Sequence, residues 1–183
     1  AVGTLALLVV TSVINGYEHE LTQVISGTQG DIIFYSRGSP IRDRAQLETK
    51  ILGLSNDIQA TTASLVSQVM FSGAQGVAGG ALEGIEPNRW RDVVSVEQKI
   101  LPGGRIPENE NEIILGSALA ERLGVQIDEL VRVTLPFTGT DDEGGYGSPR
   151  VQDFKVVGIV HLGMYDYDSK YAYAILSTVQ EFV

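Results

Sequence analysis

Short apolar segments of two different periods follow one another along this chain without regular alternation, and that ordering limits the folds open to it. Asp31–Ser36, Ala60–Phe71, Glu112–Leu115, Leu130–Leu135, Phe154–Leu162 and Tyr171–Leu176 are rich in β-branched, aromatic or other apolar residues and read as strands, as does the glycine-rich Gly76–Ile85. Thr4–Ile25, Arg44–Leu54, a short segment opening at Glu86–Trp90, Ala118–Leu123 and a last helix beginning at Thr178 behind Ser177 read as helices. Strand does not follow helix in a repeating unit, so a doubly wound parallel sheet is disfavoured. The expected class is α+β, a mixed sheet with short helices. At 183 residues, 43% of them hydrophobic, the chain can bury one good-sized core.

The first predicted helix has an unusual surface. Leu5, Leu8, Val9, Val13, Tyr17, Leu21, Val24 and Ile25 recur at three- and four-residue steps. Polar residues fill the opposite face only after Asn15, with Glu18, His19, Glu20, Thr22 and Gln23. The helix is thus greasy all round at its start and amphipathic further on. The run Leu5–Val10 is far shorter than the roughly 20 apolar residues of a membrane span. An ordinary buried helix and the outer end of a transmembrane helix both fit this pattern. Two organisational units result: residues 1–26, a helix and stalk, and residues 27–183, the core domain.

Composition removes several function classes. A formal net charge of −10 argues against a phosphate-binding surface, so no nucleic-acid partner is expected. With no Cys there are no disulfides, thiolate metal sites or Cys nucleophile. His19 and His161 stand in no metal-ligand spacing, and no nucleophile elbow, HExxH or Walker motif occurs. The glycines of 73–80 separate two strand-like runs with no helix behind them, the arrangement of a hairpin rather than a phosphate cradle. Tyr165, Tyr167, Tyr171 and Tyr173 are expected on one face of a strand pair, with Asp166, Asp168 and Ser169 in its turn. No enzyme is expected, and no cofactor is expected in this chain.

The longest connection is the most suggestive. Between the strand ending at Leu135 and the one starting at Phe154 a plain hairpin needs only a few residues. Here a polar, glycine-rich stretch carrying Asp141, Asp142, Glu143, Gly144, Gly145, Tyr146, Pro149, Arg150 and Gln152 intervenes. Long loops on compact domains are disproportionately used for function. The acidic trio could hold a hard cation, but it lacks the alternating ligand spacing of a calcium loop, and a solvated tip is the better reading.

Four segments resemble, in order, lipoprotein-releasing ABC transporter permeases of the LolC/LolE type, a group related to MacB-like periplasmic core domains. They are Thr11–Leu21, with its Asn15-Gly16-Tyr17-Glu18; Ala81–Pro87; Ile113–Val125, with Leu115-Gly116 and Leu119-Ala120; and Leu130–Pro136 together with Phe154–Ile159. The resemblance implies that the first helix is the outer end of a transmembrane helix and that residues 27–183 form a domain facing the periplasm from the bacterial inner membrane. It implies a non-catalytic permease working with a sister permease subunit and a cytoplasmic ATPase subunit, which would hold ATP and Mg. The work would be release of lipoprotein substrates from the membrane and their transfer to a LolA-type chaperone. In LolC-like members the long loop is a hook that recruits the chaperone, which would place that role on residues 138–150. The tip here is acidic and glycine-rich where such a hook is apolar. Tyr146 is then the natural anchor, and Asp141, Asp142 and Glu143 the steering charges. The alternatives are a MacB-like exporter domain contacting a periplasmic adaptor and an FtsX-like domain activating a cell-wall hydrolase.

Overall fold

The computed structural model describes residues 3–4, 6–14, 30–36, 41, 43–136 and 148–183. Residues 3–4 and 6–14 are helical (α1, residues 6–14), with Leu7, Leu8, Val9, Val10, Val13 and Ile14 all exposed. The expected continuation of this helix to Ile25 lies outside the described residues. Helix α2 (Arg44–Leu52) starts at Asp43, whose side chain accepts from the Gln46 amide at 3.2 Å, and gives way at Gly53.

Six strands then build the core: β1 (Leu65–Ser72), β2 (Val77–Ile85), β3 (Glu112–Gly116), β4 (Leu130–Leu135), β5 (Arg150–Val160) and β6 (Tyr171–Ile175). They close into a barrel in the order β1-β2-β6-β3-β5-β4, with β4 pairing back onto β1. The sheet is mixed, since β2–β6 and β3–β5 are parallel and the other pairs antiparallel. The class expected from sequence, α+β with a mixed sheet and short helices, is what the structure has. Closure of that sheet on itself was not expected.

Period-2 alternation sorts the side chains into two cores. Val69, Phe71, Leu82, Ile113, Leu115, Val131, Val133, Phe154 and Val156 point into the barrel. Its two ends are stopped by helices. Helix α4 (Ser117–Leu123) presents Leu119 and Leu123 at the end where β1 turns into β2, and the Leu123 carbonyl accepts from the Gln75 amide at 2.9 Å. Its chain reverses at Gly124, whose φ of 63° is a left-handed cap that glycine adopts without strain. Helix α6 (Leu176–Phe182) brings Val179 and Phe182 to the opposite end, so close to Gly84 that a Cβ there would meet Val179 and Leu176.

The second core lies on the outside of the barrel. Ile85, Ile114, Val160 and Tyr173 from the strands are covered by Trp90, Val94, Val96 and Ile106. Those covering residues come from the connection containing α3 (Pro87–Val93) and a 3-10 turn, Val96–Lys99. The same connection ends at a buried carboxylate. Glu112 accepts from the Arg105 guanidinium at 2.7 and 2.5 Å, from the Glu108 and Asn109 amides at 2.8 and 3.2 Å, and from Asn109 Nδ2 at 2.9 Å. The guanidinium, opposed only by burial, holds Glu112 far below the usual carboxylate range.

Several expectations are corrected. Residues 31–36 are not a strand but bend and coil, with Ile32, Phe34 and Tyr35 exposed. A strand needs a partner as well as alternation, and a closed barrel offers no free edge. Strand β1 begins at Leu65 rather than Ala60, and β5 at Arg150 rather than Phe154. Tyr165–Asp168 is a helical turn, α5, not a strand-pair turn. Helix α6 starts at Leu176 with Ile175 as its N-cap, so Ser177 lies inside its first turn and is not the cap.

Candidate functional site

The long connection springs from a well-defined frame. Strands β4 and β5 stay in antiparallel register to their last pair, Leu135 with Arg150, so the chain leaves the barrel at Pro136 and re-enters at Pro149. Asp141, Asp142, Glu143, Gly144, Gly145 and Tyr146 lie outside the described residues, and so does the cation site weighed for the acidic trio. Pro149, Arg150 and Gln152 stand at the base. Arg150 Nη1 donates to the carbonyls of Glu181 and Phe182 at 3.0 and 3.2 Å, which puts a cation on the unsatisfied C-terminal end of α6. Gln152 Nε2 donates to Asn111 Oδ1 at 3.1 Å. Arg150 therefore ties the root of the loop to the helix that stops this end of the barrel. Farther from the loop, Arg132 and Asp153 pair across the two strands at 2.7 and 3.0 Å, and the guanidinium lowers the Asp153 carboxyl.

Sequence reading found no nucleophile–base pair, yet the fold brings one together from three separate elements. Ser117 Oγ lies 3.0 Å from His161 Nδ1, and the Asp168 carboxylate lies 3.3 Å from the same nitrogen. In a catalytic triad the hydroxyl and the carboxylate address opposite ring nitrogens. Here both meet Nδ1, and the buried Asp168 is already occupied by the amides of Leu162 and Gly163 at 2.7 and 3.2 Å. The cluster is a clip between α4, α5 and the end of β5. No sequence spacing could have signalled it, because its members converge only when the parallel β3 and β5 end side by side. Among the described residues no group of three His, Cys, Asp or Glu is placed to hold a metal ion. His19 lies outside them.

The tyrosines resolve into a ladder rather than a face of a hairpin. Tyr167 stacks on Tyr171 at 4.9 Å, Tyr171 on Tyr173 at 6.5 Å, and Tyr173 meets Trp90 at 5.2 Å, while Tyr165 is exposed. Tyr173 belongs to the outer core, with Tyr167 and Tyr171 packed against it. Beside this ladder, half-buried on the outer face of β2, sits Glu83, opposite Val66 of β1 and Tyr173 of β6. Loss of hydration pushes its carboxyl up to about 7, and a hydrogen bond with Ser64 works weakly the other way. Nothing in the sequence singles out Glu83. Along the same face Met70, Gly79, Ala81, Pro136 and Tyr171 line an open trough of about 310 Å³.

No protein-family model matches the chain. It is 31% identical over 176 residues to the lipoprotein-releasing system transmembrane protein LolC of Neisseria meningitidis serogroup B, covering 94% of this chain and 41% of that protein. The LolC of Haemophilus influenzae is 25% identical, covering 97% of this chain and 43% of the relative. The LolC of Xylella fastidiosa is 24% identical, with 99% and 43% covered. Two solved structures are also similar. The extracellular domain of the noncanonic ABC-type transporter YknZ from Gram-positive bacteria has a TM-score of 0.49 at 15% identity, over 74% of this chain and 64% of that one. The periplasmic region of MacB from Actinobacillus actinomycetemcomitans has a TM-score of 0.46 at 18% identity, over 80% and 65%. Among the described residues no helix is long and apolar enough to cross a membrane. The resemblance seen in the sequence is thus established: along nearly its whole length this chain is similar to LolC, the transmembrane protein of lipoprotein-releasing systems, of which it spans about two fifths.

Proposed function

We propose that this chain is the periplasmic domain of a LolC/LolE-type permease of the inner membrane, and that it takes part in handing lipoproteins to a soluble LolA-type chaperone. The observation that carries the reading is the likeness to LolC proteins over 94% to 99% of the chain. The frame of the long connection is consistent with it. Paired strands and an anchored helix end give residues 138–150 a stiff base, and a recruiting loop needs one so that binding energy is not spent on ordering its root. In this reading Tyr146 is the anchor, Asp141, Asp142 and Glu143 steer a partner of opposite charge, and Pro149, Arg150 and Gln152 set the loop's exit. Energy would come from ATP and Mg in a separate cytoplasmic subunit, and a sister permease subunit would complete the pair.

The test is binding of the chain to the LolA-type chaperone of its own organism. Alongside it goes a variant in which Asp141–Pro149 is replaced by a short Gly-Ser turn. Binding by the parent chain that is lost in the variant is the expected result. Equal binding by both would remove the loop from the account. Absence of binding by either would reject the chaperone hand-off and favour contact with an exporter's adaptor.

A further inference from the structure

Helix α2 is joined to the barrel in a different way from the other helices. Helices α3, α4 and α6 each bury apolar side chains, whereas no side chain of α2 is buried, and Leu47 and Ile51 are only half-covered. Its described links to the barrel side are charged. Arg44 grips Glu86 at the end of β2 with both terminal nitrogens, one at 2.6 Å, and its Nε reaches Glu48 at 2.6 Å. Glu48 in turn accepts from Arg89 of α3 at 2.7 Å. All four side chains keep contact with solvent, with relative exposures from 19% for Glu48 to 49% for Arg89. Pairs of this kind weaken as salt screens them, and apolar contacts do not.

We propose that residues 43–58 form a releasable strap, latched to the barrel by the Arg44–Glu86 and Glu48–Arg89 ion pairs and able to leave it while the barrel stays folded. The barrel has no need of the strap, since its six strands close without α2 and its ends are stopped by α4 and α6. Glu86 is the keeper of the latch, because it holds Arg44 and also lies 3.4 Å from the Ala63 amide, where the strap leads into β1. If the chain is a permease domain, the strap is the segment that joins its first helix to the barrel, and its release would let those two parts move separately. The latch itself does not depend on that reading.

Hydrogen exchange on the full chain at neutral pH tests it. A nine-residue helix melts once undocked, so the exchange of its amides reports release. Between about 0.05 and 1 M NaCl the amides of 48–53 are expected to lose roughly fivefold in protection, and those of β2 and β6 to change little. Glu86→Gln at low salt should have the same effect. Since Glu86 lies outside α2, this variant separates loss of docking from weakening of the helix's own Arg44–Glu48 pair. The strap is ruled out if salt and Glu86→Gln both leave α2 unmoved, or if α2 loses protection only together with β2 and β6. None of these readouts involves chaperone binding, so failure here and failure of the permease reading are distinguishable.

Discussion

At the scale of single residues, Glu83 is a carboxyl whose ionisation the fold opposes. Its carboxyl is raised from 4.5 to about 7, chiefly by loss of hydration beside Tyr171 and Tyr173. The native state therefore keeps a proton between pH 4.5 and 7 that the unfolded chain releases. Stability contributed at this site falls as pH rises through that window and is level above it. Glu83→Gln removes the titration, so the variant should match the parent in urea unfolding at about pH 4, below the window. At pH 8 it should exceed the parent by about 1–2 kcal/mol, less than the full shift because the side chain keeps some contact with solvent. Parallel stability curves for the two proteins across this range would show that Glu83 ionises freely in the native state. Glu112 is the opposite case, a buried carboxylate so fully supplied with donors that its charge is favoured. Burial alone sets the sign for Glu83, and the donors override it for Glu112.

At the scale of elements, the informative case is the pairing of α6 with the root of the long connection. Helix α6 buries Leu176, Val179 and Phe182, but its last carbonyls have no partner within the helix. Arg150 supplies one from β5. Arg150→Ala should therefore fray the final turn of α6, costing it about 0.5–1 kcal/mol of local stability, while β3 and β6 keep theirs. Amide exchange of residues 180–183 reads this directly, and an unchanged final turn would mean the contact carries no weight. This element pair was half legible beforehand. Apolar spacing located a helix near residue 178, and the Gly and Pro content located the loop. That one residue serves both could not be read, because Arg150 and Phe182 meet only across the end of the barrel.

At the scale of the whole molecule, the barrel interior is a single packed unit, and damage there should be global. Leu82 is fully buried in it, in one cluster with Phe71, Leu115, Phe154 and Val156. Leu82→Ala removes three carbons' worth of packing and should lower unfolding free energy by about 2–5 kcal/mol, seen as a shifted denaturant midpoint with an unchanged slope. A loss below about 1 kcal/mol would indicate that α4 or α6 can collapse into the space.

What the sequence alone determined is local. Chain reversal in 73–76, the cap at Gly124, the proline opening α3, and the strands at Leu130–Leu135 and Tyr171–Ile175 follow from backbone stereochemistry and local residue preference, so they were visible residue by residue. The resemblance to LolC proteins was likewise legible in the sequence. Tertiary structure decided what depends on distant pairing. It closed six strands into a barrel and so left 31–36, a good strand by composition, without a partner. It also set Ser117, His161 and Asp168 in contact and placed Glu83 where water is scarce. A strand's partner and a carboxylate's hydration are properties of what lies across the fold, and no local pattern encodes either.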